Sequence, residues 1–189
     1  MAAAQLAVQQ QEDASARAEE MKDHILTPLT PFTDRADEQP VLILGDFSSP
    51  SHLDWTSEVS TPPFNWQPAT QLLEDAAFTD SYRAVHPVPS ANLGLTWSPV
   101  TLWRIELQGV EPLDRIDFIF HKGSRLRPLD SHTLTTGNPA PAEEHPAWED
   151  HSRYRYNTWP SDRAALITTY DIQHPSLPSQ DISNGGQSD

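Results

Sequence analysis

The chain has 189 residues, 37% of them hydrophobic, with eighteen prolines, seven glycines and no cysteine. That length suits one ordinary domain or a piece of a larger one, and without cysteine neither a disulfide scaffold nor a thiolate zinc site can form. The formal net charge of −15 argues against general affinity for nucleic acid, which relies on clustered Lys and Arg, but it leaves room for a phosphate bridged by a divalent cation.

In chain order, residues 2–26 are rich in Ala, Gln and Glu and read as a helix. Its apolar stripe (Leu6, Val8, Met21, Ile25, Leu26) is thin, so it should lie on a surface, ending at Thr27-Pro28 before a loop, TPLTPFTDRADEQP. The N-terminus has no basic leader and no sustained apolar core, which makes a poor secretory signal. No stretch approaches the roughly 20 apolar residues of a membrane span. A cytoplasmic location is the default expectation.

Val41 to Leu44 (VLIL) is too uniformly apolar for a half-exposed strand and predicts a short buried one. It ends on Gly45-Asp46 and a serine-rich turn, then a short helix or turn over His52–Val59 with Trp55 pointing inward. A proline-broken loop (61–70) leads to a short helix over Ala69–Ala77 and the segment FTDSYRAVHP. GLTWSP and LWRIEL read as strand pieces, DRIDFIF as a strand, and Gly137–Asn157 as a long loop rich in Pro, Glu and His. Ala165–Tyr170 predicts the last strand, and a polar tail follows from Gln173. There is no internal repeat. Short strands, short helices and long loops together indicate an α+β protein whose loops carry the chemistry.

Asp46, Asp117 and Asp162 stand at strand ends or within strands, far apart in sequence. Carboxylates gathered at one sheet edge are suitable ligands for a hard divalent ion, which can position a water for attack on phosphorus. On composition alone each reads more readily as a turn or cap residue, since Asp is common there. Several other polar residues have structural readings. His52 and Asp54 should order the loop after Asp46, and Arg115 should pair with a nearby acid. Tyr82 and Arg83 are read either as cleft residues or as a solvated element end, and His121 as a surface residue. Trp97 either packs the core or lines a cleft, and no HExxH or comparable zinc-ligand spacing occurs.

Five words in order, GDFSSPSHLDW (45–55), DSYRAVHP (80–87), GLTWSP (94–99), DRIDFIF (114–120) and WPSDRAAL (159–166), resemble the endonuclease/exonuclease/phosphatase family, the group with the DNase I-like fold. The resemblance covers roughly residues 40–170. It implies a layered β-sandwich flanked by helices, here starting where the second half of such a domain would start. The chain then divides into a helix and loop (1–39), the family-like portion (40–172) and a disordered tail (173–189).

The resemblance also implies a metal-dependent phosphoester hydrolase using Mg²⁺ or Mn²⁺ on a phosphoester substrate. Asp46 would contact the attacking water or the phosphate, Asp117 would orient a catalytic histidine, Asp162 would bind metal, and Trp97 would contact substrate. Two positions depart from the family pattern. Ser48 stands where Asn is typical, and Ser has less reach and fewer hydrogen bonds. Arg163 stands where His is typical, and a guanidinium is never a base near neutral pH. It reads as a phosphate-binding residue or as a decayed catalytic position satisfied by a nearby acid such as Asp117. Weakened or absent hydrolysis follows, the alternative being a non-catalytic remnant or binding module. A domain lacking half its cover would expose a sheet face and call for a protein partner.

Overall fold

The structure is a computed structural model that describes residues 13–54, 68–97, 103–104, 109–110, 114–135, 161 and 163–173. The expectations for Trp55, Asp162, the 137–157 loop and the tail lie outside these residues.

Helical residues 13–20 continue through a π-helix, Met21–Leu26, into α1, Thr27–Thr33. The sequence predicted a loop after Thr27-Pro28, and the chain instead stays helical through Pro28 and Pro31. Pro28 has no N–H to donate back into the preceding turn, whereas the Thr27 N–H still reaches Lys22 O across the π-helix. Threonine hydroxyls satisfy carbonyls along this stretch: Thr27 Oγ1 donates to Lys22 O at 2.8 Å, Thr30 Oγ1 to Leu26 O at 3.2 Å and Thr33 Oγ1 to Thr30 O at 3.1 Å. The polar residues that suggested a turn therefore sustain the helix.

Three antiparallel sheets follow among the described residues. β1 (Val41–Asp46) pairs with β5 (Asp117–Lys122), which also pairs with β2 (Thr79–Asp80), giving the order β1-β5-β2. β3 (Trp103–Arg104) pairs with β4 (Gly109–Val110), and β6 (Leu126–Leu134) with β7 (Ala165–Ile172). Two helices, α2 (Pro68–Asp75) and α3 (Ser81–Val85), complete the described elements. The class is α+β, with no closed barrel among the described residues and no helix long and apolar enough to cross a membrane.

Alternation along β5 puts Phe118 and Phe120 on one face, where both are buried against Met21, Ala69, Leu73 and Phe78. Phe47 closes this cluster edge-on to Phe118, with ring centroids 5.1 Å apart at 84°. Val41 and Ile43 pack on the same cluster. The buried strand predicted over VLIL is half right. Leu42 and Leu44 point the other way and are 46% and 67% exposed on β1, although Tyr170 packs on the same face at His121 of β5.

The sequence reading missed β6, since Pro128 lies inside it. Pro is tolerated there because β6 pairs on one side only among the described residues, with a bulge between Pro128 and Asp130. The β5–β6 turn needs Gly123. Its φ is +120°, and a Cβ there would stand 2.3 Å from the Ala36 carbonyl oxygen, so no side chain fits.

His121, read as a surface residue, is buried. Its Nδ1 meets Ser81 Oγ at 2.9 Å, and the same hydroxyl bonds Tyr170 on β7. Burial holds the His121 pKa below its ordinary 6.5, with the Asp80 charge opposing that shift. The unfolded chain therefore takes up this proton first as pH falls. Stability is full above about pH 6.5 and declines as pH drops towards the lower folded value. Urea unfolding at several pH values should show His121→Asn with a flatter decline below pH 6.5, by up to ~1.4 kcal/mol per pH unit. Parallel curves for the two proteins would assign the slope to other groups.

Candidate functional site

β1 and β5 run antiparallel in a register that sets Asp46 directly opposite Asp117, with both side chains on the face that carries Leu42 and Leu44. Two carboxylates so placed repel each other unless a cation intervenes. Arg163 supplies it. Its Nη2 lies 2.8 Å from Asp46 Oδ2, and its Nη1 lies 3.3 and 3.2 Å from Asp117 Oδ1 and Oδ2. Planar fork geometry lets one guanidinium serve two acids at once. The fork also stacks on Trp97, with Cζ 4.6 Å from the ring centroid.

The last carboxylate oxygen, Asp46 Oδ1, accepts from the Ser48 N–H at 2.6 Å and from Ser48 Oγ at 3.1 Å. Ser48 has φ +47°, a left-handed conformation in which Asn is more at ease. The departure from Asn is thus also a small backbone penalty, in a turn that folds its hydroxyl onto Asp46. Of the residues singled out from sequence, Asp46, Ser48, Trp97, Asp117 and Arg163 converge. Asp162 lies outside the described residues.

All four carboxylate oxygens of Asp46 and Asp117 are engaged, three by the guanidinium and one by Ser48. No group of three or more His, Asp or Glu side chains placed to hold a metal ion occurs among the described residues. The clasp as it stands does not fit a divalent ion between these two acids, because the Arg163 fork fills that position and offsets one of their two negative charges.

Behind the clasp lies a second set of charges that sequence reasoning saw only in pieces. Asp54 accepts from Arg83 Nε and from Arg115 Nε (2.8 Å) and Nη2 (2.9 Å), and Arg115 Nη2 also reaches Asp80 at 2.7 Å. Arg83 further donates to the carbonyls of His86, Asn92 and Leu93. The solvated reading of Tyr82 and Arg83 is overturned, since both are buried, while Arg83 does line a pocket together with His52, Glu74 and Asp80. Burial disfavours charge on Arg115, but Asp80 and Asp54 outweigh it and leave its pKa raised. Arg115 Nη1 has no hydrogen-bond partner; the guanidinium stands 4.6 Å over Phe118 and 5.3 Å from Tyr82, so ring faces surround it. His52 ties the loop after Asp46 to α2 through Thr70, 2.9 Å from its Nδ1, and through Glu74, as expected from its position.

Comparison with known proteins adds one relative. An uncharacterized protein of Caenorhabditis elegans, F14F9.5, is 33% identical over 144 residues, 74% of this chain. The chain spans 43% of that relative's length. No family model matches, and no solved structure matches.

Proposed function

We propose that this chain carries the second half of a phosphoester-hydrolase domain of the DNase I-like kind, with its site closed by Arg163, so that metal-dependent hydrolysis is absent from the chain as it stands. The observation behind this reading is the guanidinium lodged between Asp46 and Asp117, where the family resemblance implies a reacting water, phosphate or histidine partner. A permanently protonated fork takes no proton, and its charge lowers the attraction of both acids for Mg²⁺ or Mn²⁺. The exposed Leu42 and Leu44 agree with a sandwich whose second sheet comes from elsewhere, and they favour a binding role over a catalytic one.

The test is release of p-nitrophenol from a phosphodiester and a phosphomonoester reporter with Mg²⁺ or Mn²⁺. The native chain should match the protein-free control. Arg163→Ala, which frees two facing carboxylates, should bind Mn²⁺ about tenfold more tightly, roughly the worth of one well-solvated charge pair. Metal-dependent turnover by the native chain that disappears in Asp46→Ala would overturn the proposal.

A further inference from the structure

We infer that Thr96 is the positioning residue that sets the geometry of the guanidinium–dicarboxylate clasp. Its side chain touches none of the three charged groups, yet it is fully buried (0% exposed) and bonded to the segments that carry two of them. Thr96 Oγ1 accepts from the backbone N–H of Ile116 and of Asp117, each at 3.0 Å, which fixes the start of β5. Its carbonyl accepts from the Ala164 N–H at 2.9 Å, next to Arg163, and its own N–H donates to Asp114 O at 3.1 Å. Trp97, the next residue, bridges to both Asp114 and Arg163. The third charged group joins through the same point, because the Phe47 N–H, one residue after Asp46, donates to Ile116 O at 2.9 Å.

A hydroxyl oxygen can accept two N–H groups, as here, and a β-branched residue holds χ1 in one rotamer, so the oxygen stays where both amides need it. Valine has the same shape without the acceptor and leaves two buried amides unpaired. Serine keeps the acceptor and loses only the methyl group. The importance of the position for function rests on the phosphoester-hydrolase reading. The geometry does not, and a test without substrate lets the two fail separately.

The experiment compares Thr96→Val and Thr96→Ser by NMR, following the Trp97 indole N–H resonance and the amide exchange of Ile116 and Asp117. Arg163→Ala marks where the indole resonance lies once the stacked guanidinium is gone. Thr96→Val should move the resonance to that position and speed exchange of both amides at least tenfold, while Thr96→Ser keeps the native position and protection. A folded Thr96→Val with the native indole resonance overturns the inference. If Thr96→Val fails to fold, Thr96→Ser still decides: a folded Ser variant with the displaced resonance, its acceptor intact, overturns it as well.

Discussion

Arg115→Met is expected to lower the unfolding free energy by about 3–5 kcal/mol, the usual cost of removing one partner from a buried ion pair. Asp80 is the reason. Its side chain is 1% exposed and loses the 2.7 Å bond from Arg115 Nη2, keeping only the backbone N–H groups of Tyr82 and Arg83 on its other oxygen. Asp54 loses two further bonds and retains Arg83. Urea unfolding near pH 7.5 measures the loss, and adding Asp80→Asn should recover part of it by removing the stranded charge. A change below about 1 kcal/mol would mean that the quartet does not hold the loop that follows Asp46. Since whole domains are stable by only about 5–15 kcal/mol, this one substitution removes a large share.

Phe118→Ala is expected to cost a similar ~3–5 kcal/mol through the cavity it leaves. The side chain is fully buried, meets Phe47 edge-on and stands 5.6 Å from Phe120, centroid to centroid. It also forms one wall of the Arg115 guanidinium, 4.6 Å away, so its loss loosens the charged quartet too. Phe118→Leu keeps most of the volume and should cost less than half as much. Thermal unfolding of both variants gives the ratio. Equal losses would point to the ring contacts rather than the volume as the dominant contribution.

Much of this architecture is legible from local pattern. The DRIDFIF alternation marks β5, and the apolar VLIL run with Gly-Asp behind it marks β1 and the carboxylate that ends it. The convergence of Asp46, Ser48, Trp97, Asp117 and Arg163 was legible only through the five motif words taken together, because sequence distance alone does not bring positions 46 and 163 within 2.8 Å. What stayed hidden depends on tertiary contact. Leu42 and Leu44 read as core because apolar identity carries no information on whether a second layer is present. His121 read as a surface residue, and Arg83 as a cleft or solvated one, because their polarity hides the partners, Ser81 and Asp54, that make burial tolerable. Thr96 offered no signal beyond its place in GLTWSP, since its two amide contacts lie 20 and 21 residues away.

α3 has a mechanical consequence of its own. Among the described residues no backbone ladder joins the β1-β5-β2 sheet to the β6–β7 hairpin. Besides the Gly123 turn, they meet through side chains on or beside this five-residue helix: Ser81 to His121 and Tyr170, and His86 Nε2 to Ser131 O at 2.7 Å. The base of the hairpin is held once more, where the Ala164 N–H donates to Thr96 O at 2.9 Å just ahead of β7. Arg163 stands two residues ahead of β7, beside that bond and bridged to Trp97, so the foot of the ribbon and the clasped cation share one anchorage.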